Sequence, residues 1–434
     1  MQSSGPWLIL NTEDGTWLIS MEGDEIGLIP APSEYFINTL EVAPQGGLVA
    51  MLMDNMSERI LEVISVQTYE TLLKINLSDY KGEGFHFEDE LQAEQYKYDR
   101  HFALGQPKWS SDGNFLAFVS SHLGPSPDVY VYDLKTGKVS QLTSGPTHAV
   151  NLHWSPDNRH IFHAGVSNLF VGSSGAGYSN WVFYSVTPEG KKVIKVYEGL
   201  EERGYEQVVG WYTDESILME SGYWWCGYFD FRLVNIESGK RVSIWQNKYD
   251  LITYNPIDKI ALVWVSPEAT SSEHCGLSGE SGLFLVSLPS GQRNKVEGFE
   301  DSYMISSLDW VVGTSKFIAD LRTLWSLIDI NGEVEYLLEQ PIYSPDKKTI
   351  ALLGYEGESL RLVDQAGNNI EVDIIGNILY PTWSPDGEFL YYFSENESGN
   401  LYDLYVVQTP DFKPVLVQKE LFSRYDPAPV WMMP

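Results

Sequence analysis

The chain has 434 residues, 43% of them hydrophobic and 13% aromatic, enough to bury a large core, and its net charge is −32. That charge argues against nucleic acid and anionic lipid as partners, so neither nucleic-acid binding nor membrane insertion is expected. Two cysteines, Cys226 and Cys275, exclude a disulfide-rich scaffold and a cysteine-based zinc site; no apolar run reaches the roughly 20 residues of a membrane helix, and MQSSGPWLIL shows no secretory leader.

Taken in chain order, residues 6–30 read as strands of a repeat unit whose opening is missing. A weak unit follows around EVAPQGGLVAMLMD, 41–54, and then an insertion, 78–102, whose 87–98 segment is the one helical candidate. At Pro107-Lys108-Trp109 a phrase begins that recurs: Pro-x-Trp-Ser-Pro-Asp-Gly, an aromatic and β-branched strand, a loop, a second strand ending in Asp, a Thr-Gly-type turn and a third strand. Further copies start at Trp154-Ser155-Pro156-Asp157, Tyr343-Ser344-Pro345-Asp346 and Trp383-Ser384-Pro385-Asp386, with degraded copies at Trp211 and in 252–265 and 307–320. The chain ends on PAPVWMMP, an opening with nothing after it.

The phrase has local physics. Proline presets φ, Asp bonds nearby backbone and Gly accepts positive φ, so Ser-Pro-Asp-Gly is a turn, and the preceding Trp is expected to pack between neighbouring sheets. Four strands per unit and a ring of units make an all-β fold, a single closed β-propeller. Units are expected at 38–77, 103–143, 148–197, 206–245, 250–298, 303–339, 340–375 and 378–419, with a closing unit formed by 427–434 and 5–30. That makes nine blades, or eight if one of the weak units at 250–298 and 303–339 is not a full blade. Joining the two ends in one sheet removes the exposed edges of an open array.

The motif around Trp109, Trp154 and Trp383 resembles the WD40-like repeat of TolB-type propellers, and also the propeller of prolyl-oligopeptidase relatives. The resemblance covers essentially the whole chain. It rests on turn and core residues, so it implies a fold and not an active site. In such families the propeller is a binding scaffold or a gate beside an enzyme. Neither the peptidase domain of those enzymes nor the small N-terminal domain of TolB is recognisable here.

Chemistry is sparse. No Gly-x-Ser-x-Gly elbow occurs, and GSSGAGYS, 172–179, is followed by the strand NWVFYSV rather than by the helix a phosphate loop needs. His148, His153, His160 and His163 lie close in sequence. Their odd separations place His148 and His153, and His160 and His163, on opposite strand faces, so a metal would need ligands from other blades. No catalytic residue, metal ligand or cofactor is assigned. The acidic side chains are too many for a glycosidase pair to be singled out.

Three expanded connections between second and third strands, 165–180, 221–230 and 266–282, should emerge together on one face. Tyr178 and Trp181 in the first, and Tyr223, Trp224, Trp225 and Tyr228 in the second, are the candidate ligand-binding residues, with packing among the long loops as the alternative. Cys226 and Cys275 fall in adjacent loops of that face, where a disulfide would imply an oxidising compartment. Asn55, Asn76 and Asn396 fit a glycosylation pattern. The expectation is a non-catalytic scaffold, acting outside the cytoplasm and binding a protein, peptide or glycan. The alternative is an enzyme that works on a glycan or peptide in the central channel, lyase-like or hydrolytic.

Overall fold

The computed structural model describes residues 7–12, 15–20, 25–30, 34–55, 57–78, 101, 103–172, 175–179, 181–190, 192–199, 204–223, 227–267, 280–299, 305–322, 324–364, 368–374, 376–395, 402–408, 413–419 and 430–432. The insertion at 79–100, with its helical candidate, lies outside them. Among the described residues the fold is nine four-stranded antiparallel sheets, with one two-stranded hairpin added to the third. Blades one to eight span 36–76, 105–141, 148–198, 204–245, 251–295, 307–337, 340–371 and 378–418. Both weak units are full blades, so the count is nine.

The ninth blade joins the chain ends. Its strand order is Glu25–Pro30, Gly15–Ser20, Trp7–Thr12 and Val430–Met432. Trp7 lies opposite Met432 and Ile9 opposite Val430. The C-terminal strand thus covers the edge that the N-terminal strands would otherwise expose.

First strands of neighbouring blades touch one another, as in blades one and two, two and three, four and five, five and six, and seven and eight. They are therefore the inner strands around the axis. The blades pack through apolar faces, as the two-residue period of a strand buried on both sides requires. Eight clusters of buried side chains join neighbours around the ring. Leu8 and Ile19 of blade nine meet Phe393 and Leu404 of blade eight, and Trp7, Ile9 and Leu18 meet Val49 and Met51 of blade one. Among the described residues no such cluster joins blades six and seven. There Ile318, Ile350, Leu352 and Val363, which alternation turns toward that interface, are only half-buried.

In blades two, three and eight the repeated tryptophan locks the blade to the one before it, whereas Trp310 of blade six donates to Thr314 of its own turn. Trp109 Nε1 donates to the Glu41 carbonyl at 3.2 Å, Trp154 to that of Lys108 at 2.8 Å and Trp383 to that of Ile342 at 2.9 Å. Each acceptor lies in the inner strand of the preceding blade. The turn after each Trp is closed by its serine and aspartate. Ser110 Oγ donates to Asp112 and accepts from Phe115 N, an arrangement repeated at Ser155, Ser344 and Ser384. The left-handed residue of the turn is Gly113 (φ 67°) or Gly387 (φ 76°), but Asn158 (φ 59°) and Lys347 (φ 61°) in the other two copies.

Leu8→Ala should lower stability by about 2–5 kcal/mol, since it empties a filled blade interface. Leu352→Ala, at the loose interface, should cost roughly half as much or less. Urea denaturation midpoints of the two variants check the contrast; equal shifts would show that all nine interfaces are packed alike.

Candidate functional site

Second-to-third connections and blade-to-blade connections leave the ring on the same face, because four antiparallel strands return the chain to that end. On this face blade four stands out. Its first three strands, Gly204–Thr213, Ser216–Tyr223 and Gly227–Asn235, have 10, 8 and 9 residues. The second strand of blade five, Ile260–Val265, has 6, so blade four's second strand extends about 7 Å further at 3.3–3.4 Å per residue. Beside it stands the added hairpin of blade three, Asn168–Gly172 paired with Gly175–Ser179.

The raised part of blade four rests on polar side chains where most of the ring uses apolar ones. Glu206, Ser221 and Asp230 sit side by side across the three strands, and Arg232 lies two residues beyond Asp230 on the same face. Arg232 donates to Glu206 at 2.6 Å, to Asp230 at 2.6 Å and to Ser221 at 3.0 Å. Tyr197 of blade three gives its hydroxyl to the same Glu206 oxygen at 2.6 Å. The Tyr197 ring lies 5.4 Å from both the Arg232 and Arg241 guanidinium carbons. Burial favours neutral Arg232, yet the Glu206 carboxylate beside it holds its pKa above the ordinary value. Burial, and then Glu206, push the Tyr197 hydroxyl well up. On the opposite face Glu220 accepts from Tyr249 at 3.0 Å and from Gln207, and burial raises its pKa.

A second polar anchor holds the start of blade two. Asp54 accepts from Arg59 at 2.7 Å and lies 3.1 Å from His101 Nε2, while Arg59 also donates to the Leu104 carbonyl at 2.8 Å. These contacts tie blade one's second-to-third turn to the point where the chain returns from the 79–100 insertion.

Of the candidate aromatics, Trp181 is buried (7% exposed) and stacks on Phe183 with ring centres 6.2 Å apart. It packs in the core between blades three and four and does not face a ligand. The Tyr178 backbone pairs with Leu169 in the added hairpin, and Tyr223 and Tyr228 sit at the end of blade four's hairpin, opposite Gly227 and Gly222 respectively. Trp224, Trp225, Cys226 and Cys275 lie outside the described residues.

The histidines behave as structural groups. His163 is buried, stacks on Tyr184 at 5.4 Å, and burial lowers its pKa to about 4. Burial does the same to His153, also to about 4. His160 Nδ1 lies 3.1 Å from Ser185 Oγ. The parity expectation fails for His148 and His153. A bulge between Val150 and His153, with Asn151 at φ 57°, lets Ala149 and Leu152 enter one core cluster though they are three residues apart. His148 and His153 therefore share the other face.

No family model matches the chain. TolB proteins of the Tol-Pal system from Francisella tularensis are 30% identical over 100 residues, 21% of this chain and 19% of their own length. The uncharacterized peptidase YuxL of Bacillus subtilis is 28% identical over 144 residues, 33% of this chain and 19% of its own length. The matches thus span less than a fifth of these curated relatives. A crystal structure of a eukaryotic initiation factor aligns over 99% of this chain and 98% of its own, with TM-score 0.60 and 14% identity. Dipeptidyl peptidase 4 of Porphyromonas gingivalis aligns over 96% of this chain and 60% of its own, with TM-score 0.51 and 10% identity. The protein is a TolB-like β-propeller.

In this TolB-like propeller the tryptophan phrase was readable, whereas the Glu206–Arg232–Tyr197 network was not. Its only trace in the sequence is an arginine alternating with apolar residues in FDFRLVN, 229–235. The buried histidines contribute to the acid response. A histidine with an unfolded pKa near 6.5 and a folded value about 4 binds its proton in the unfolded chain first. Stability present above pH 6.5 should therefore fall as pH drops from about 6.5 to 4. Asp128, which burial raises to about 6, works in the opposite direction over roughly pH 4 to 6. His163→Phe, which keeps a ring on Tyr184, should flatten the acid limb of a melting-temperature-versus-pH curve; an unchanged slope would show that His163 titrates normally.

Proposed function

We propose that this propeller is a non-catalytic interaction scaffold that binds a protein, peptide or glycan partner on the face raised by blades three and four, and that it works outside the cytoplasm. The observation that carries the reading is the extended hairpin of blade four, clamped at its base by Arg232, Glu206, Asp230 and Tyr197. Loops that only connect strands have no need of a rigid base. A base that fixes this hairpin against the outer strand of blade three suits a surface that must keep its shape before the partner arrives, which lowers the ordering cost of binding. In sequence Trp224 and Trp225 fall between Tyr223 and Tyr228, which end this hairpin's strands, and Tyr178 comes from the adjacent hairpin. Flat rings with polar edges suit peptide and sugar surfaces alike. Catalysis on a glycan or peptide is the competing reading, and peptidases among the relatives support it.

Trp224→Ala/Trp225→Ala is the direct test. Immobilised peptide and glycan libraries should retain the wild-type chain, and the double variant should bind its best ligand at least tenfold more weakly with an unchanged melting temperature. Cleavage of a retained ligand during incubation would overturn the scaffold reading in favour of the enzyme. Removing the base should act through stability instead: Arg232→Met leaves Glu206 and Asp230 without their cation and should cost about 3–5 kcal/mol.

A further inference from the structure

A cavity of about 560 Å³ lies away from blades three to five, half open, where the inner strands of blades seven and eight meet the second-to-third turns of blades six and seven. That volume suits a small ligand or one or two side chains of a larger one. It opens at the one neighbouring pair, six and seven, that lacks a buried apolar cluster among the described residues. Only two residues, Leu338 and Glu339, connect these blades.

Three features set the lining apart from a packing defect. First, it exposes apolar side chains: Leu338 is 82% exposed and Tyr380 62%, with Trp325 beside them in the wall. Second, three non-glycine residues of the wall have left-handed backbone: Arg322 (φ 69°), Glu356 (φ 52°) and Tyr380 (φ 52°). Such conformations cost free energy and concentrate at functional sites. Third, Tyr380 occupies a repeated position. It stands three residues before the motif Trp383, as Gln106 stands before Trp109 and Asn151 before Trp154, and all three are left-handed at inner-strand bulges. In blades two and three these positions are polar and join each other, Asn151 N donating to Gln106 Oε1 at 2.8 Å. In blade eight the same bulge presents an aromatic ring to the cavity instead.

The charge of the site selects the ligand. Asp320 and Glu356 outnumber Arg322 in the wall, and the chain as a whole carries −32. Its field draws cations toward the mouth, and the faces of Trp325 and Tyr380 favour them further. We propose that this cavity is a second binding site, on the same face of the ring but away from the hairpins of blades three and four, which takes a basic peptide segment: an aromatic or large apolar side chain enters against Trp325, Leu338 and Tyr380, and an adjacent Lys or Arg is held by Asp320 and Glu356.

The test uses the intact chain and three peptides, Ac-Lys-Phe-Lys-NH2, Ac-Lys-Ala-Lys-NH2 and Ac-Glu-Phe-Glu-NH2, titrated by ligand-observed NMR. The first should bind at least tenfold more tightly than the other two, and more weakly as salt rises. Tyr380→Asn keeps the left-handed bulge, as Asn151 does in blade three, but removes the ring; it should weaken binding at least tenfold. Glu356→Gln should weaken it at least threefold. Equal binding of the three peptides, no binding of the first, or wild-type affinity in Tyr380→Asn overturns the proposal. So does loss of binding in Trp224→Ala/Trp225→Ala, which would place the peptide on the hairpins of blades three and four. Wild-type affinity in that double variant keeps the two sites distinct.

Discussion

The bond from an indole N–H to the inner-strand carbonyl of the preceding blade is the constraint that sets the angle between blades one and two, two and three, and seven and eight. A propeller blade shares no β-ladder with its neighbours, so nothing in sheet formation itself fixes how far one blade is turned from the next. A tryptophan does this in one residue. Its ring fills the wedge between two sheets, as Trp109 and Trp383 do while almost fully buried, and its N–H is aimed at a single carbonyl. A buried indole that lost this acceptor would carry an unsatisfied donor, so the angle is fixed by a penalty as well as by an attraction. The Ser-Pro-Asp turn holds the tryptophan in place from the other side, since its serine and aspartate bind the backbone that follows.

Closure follows from the same logic. In blades two, three and eight, complete within the chain, the lock links sequence neighbours. Where the ring must close, Val430–Met432 is hydrogen-bonded to Trp7–Thr12, and the resulting blade buries apolar side chains against blades eight and one. Opening the ring would expose a strand edge and two apolar interfaces together, so closure is cooperative with packing. The interface between blades six and seven is the exception. Ile318, Ile350, Leu352 and Val363 stay half-buried there, though Leu327 is buried, and the cavity opens beside the interface.

The architecture was legible because its determinants are local. Asp112 and Gly113 form their turn with residues a few positions away, and a reader of the sequence has all the partners in view. Even the weak blades at 251–295 and 307–337 kept enough strand alternation to be counted. What could not be read depends on distance across the ring. Glu206, Arg232 and Tyr197 meet because blade four's first and third strands flank its second and face blade three's outer strand. No spacing rule encodes that meeting. Trp181 was a candidate ligand contact with packing as the alternative, and it packs in the core between blades three and four. For His148 and His153 the error was one of parity: a single bulge residue, Asn151, shifts which side of the strand follows.

That bulge connects architecture to function. A left-handed residue in an inner strand interrupts the alternation that would otherwise bury every second side chain, and so gives blades two, three and eight one side chain each that core packing does not dictate. In blades two and three this freedom goes into cohesion, with Gln106 and Asn151 bonded across the interface. In blade eight the same geometry frees an aromatic residue, at a place where the neighbouring interface is already loose. Blade four reaches a comparable result differently, by lengthening its strands and replacing apolar packing at their base with an ion pair. Both devices leave the tryptophan locks untouched. A ring with repeated local contacts can therefore vary its exposed positions blade by blade, and blade four's raised hairpin and the cavity beside Tyr380 are two places on one face that depart from the repeat.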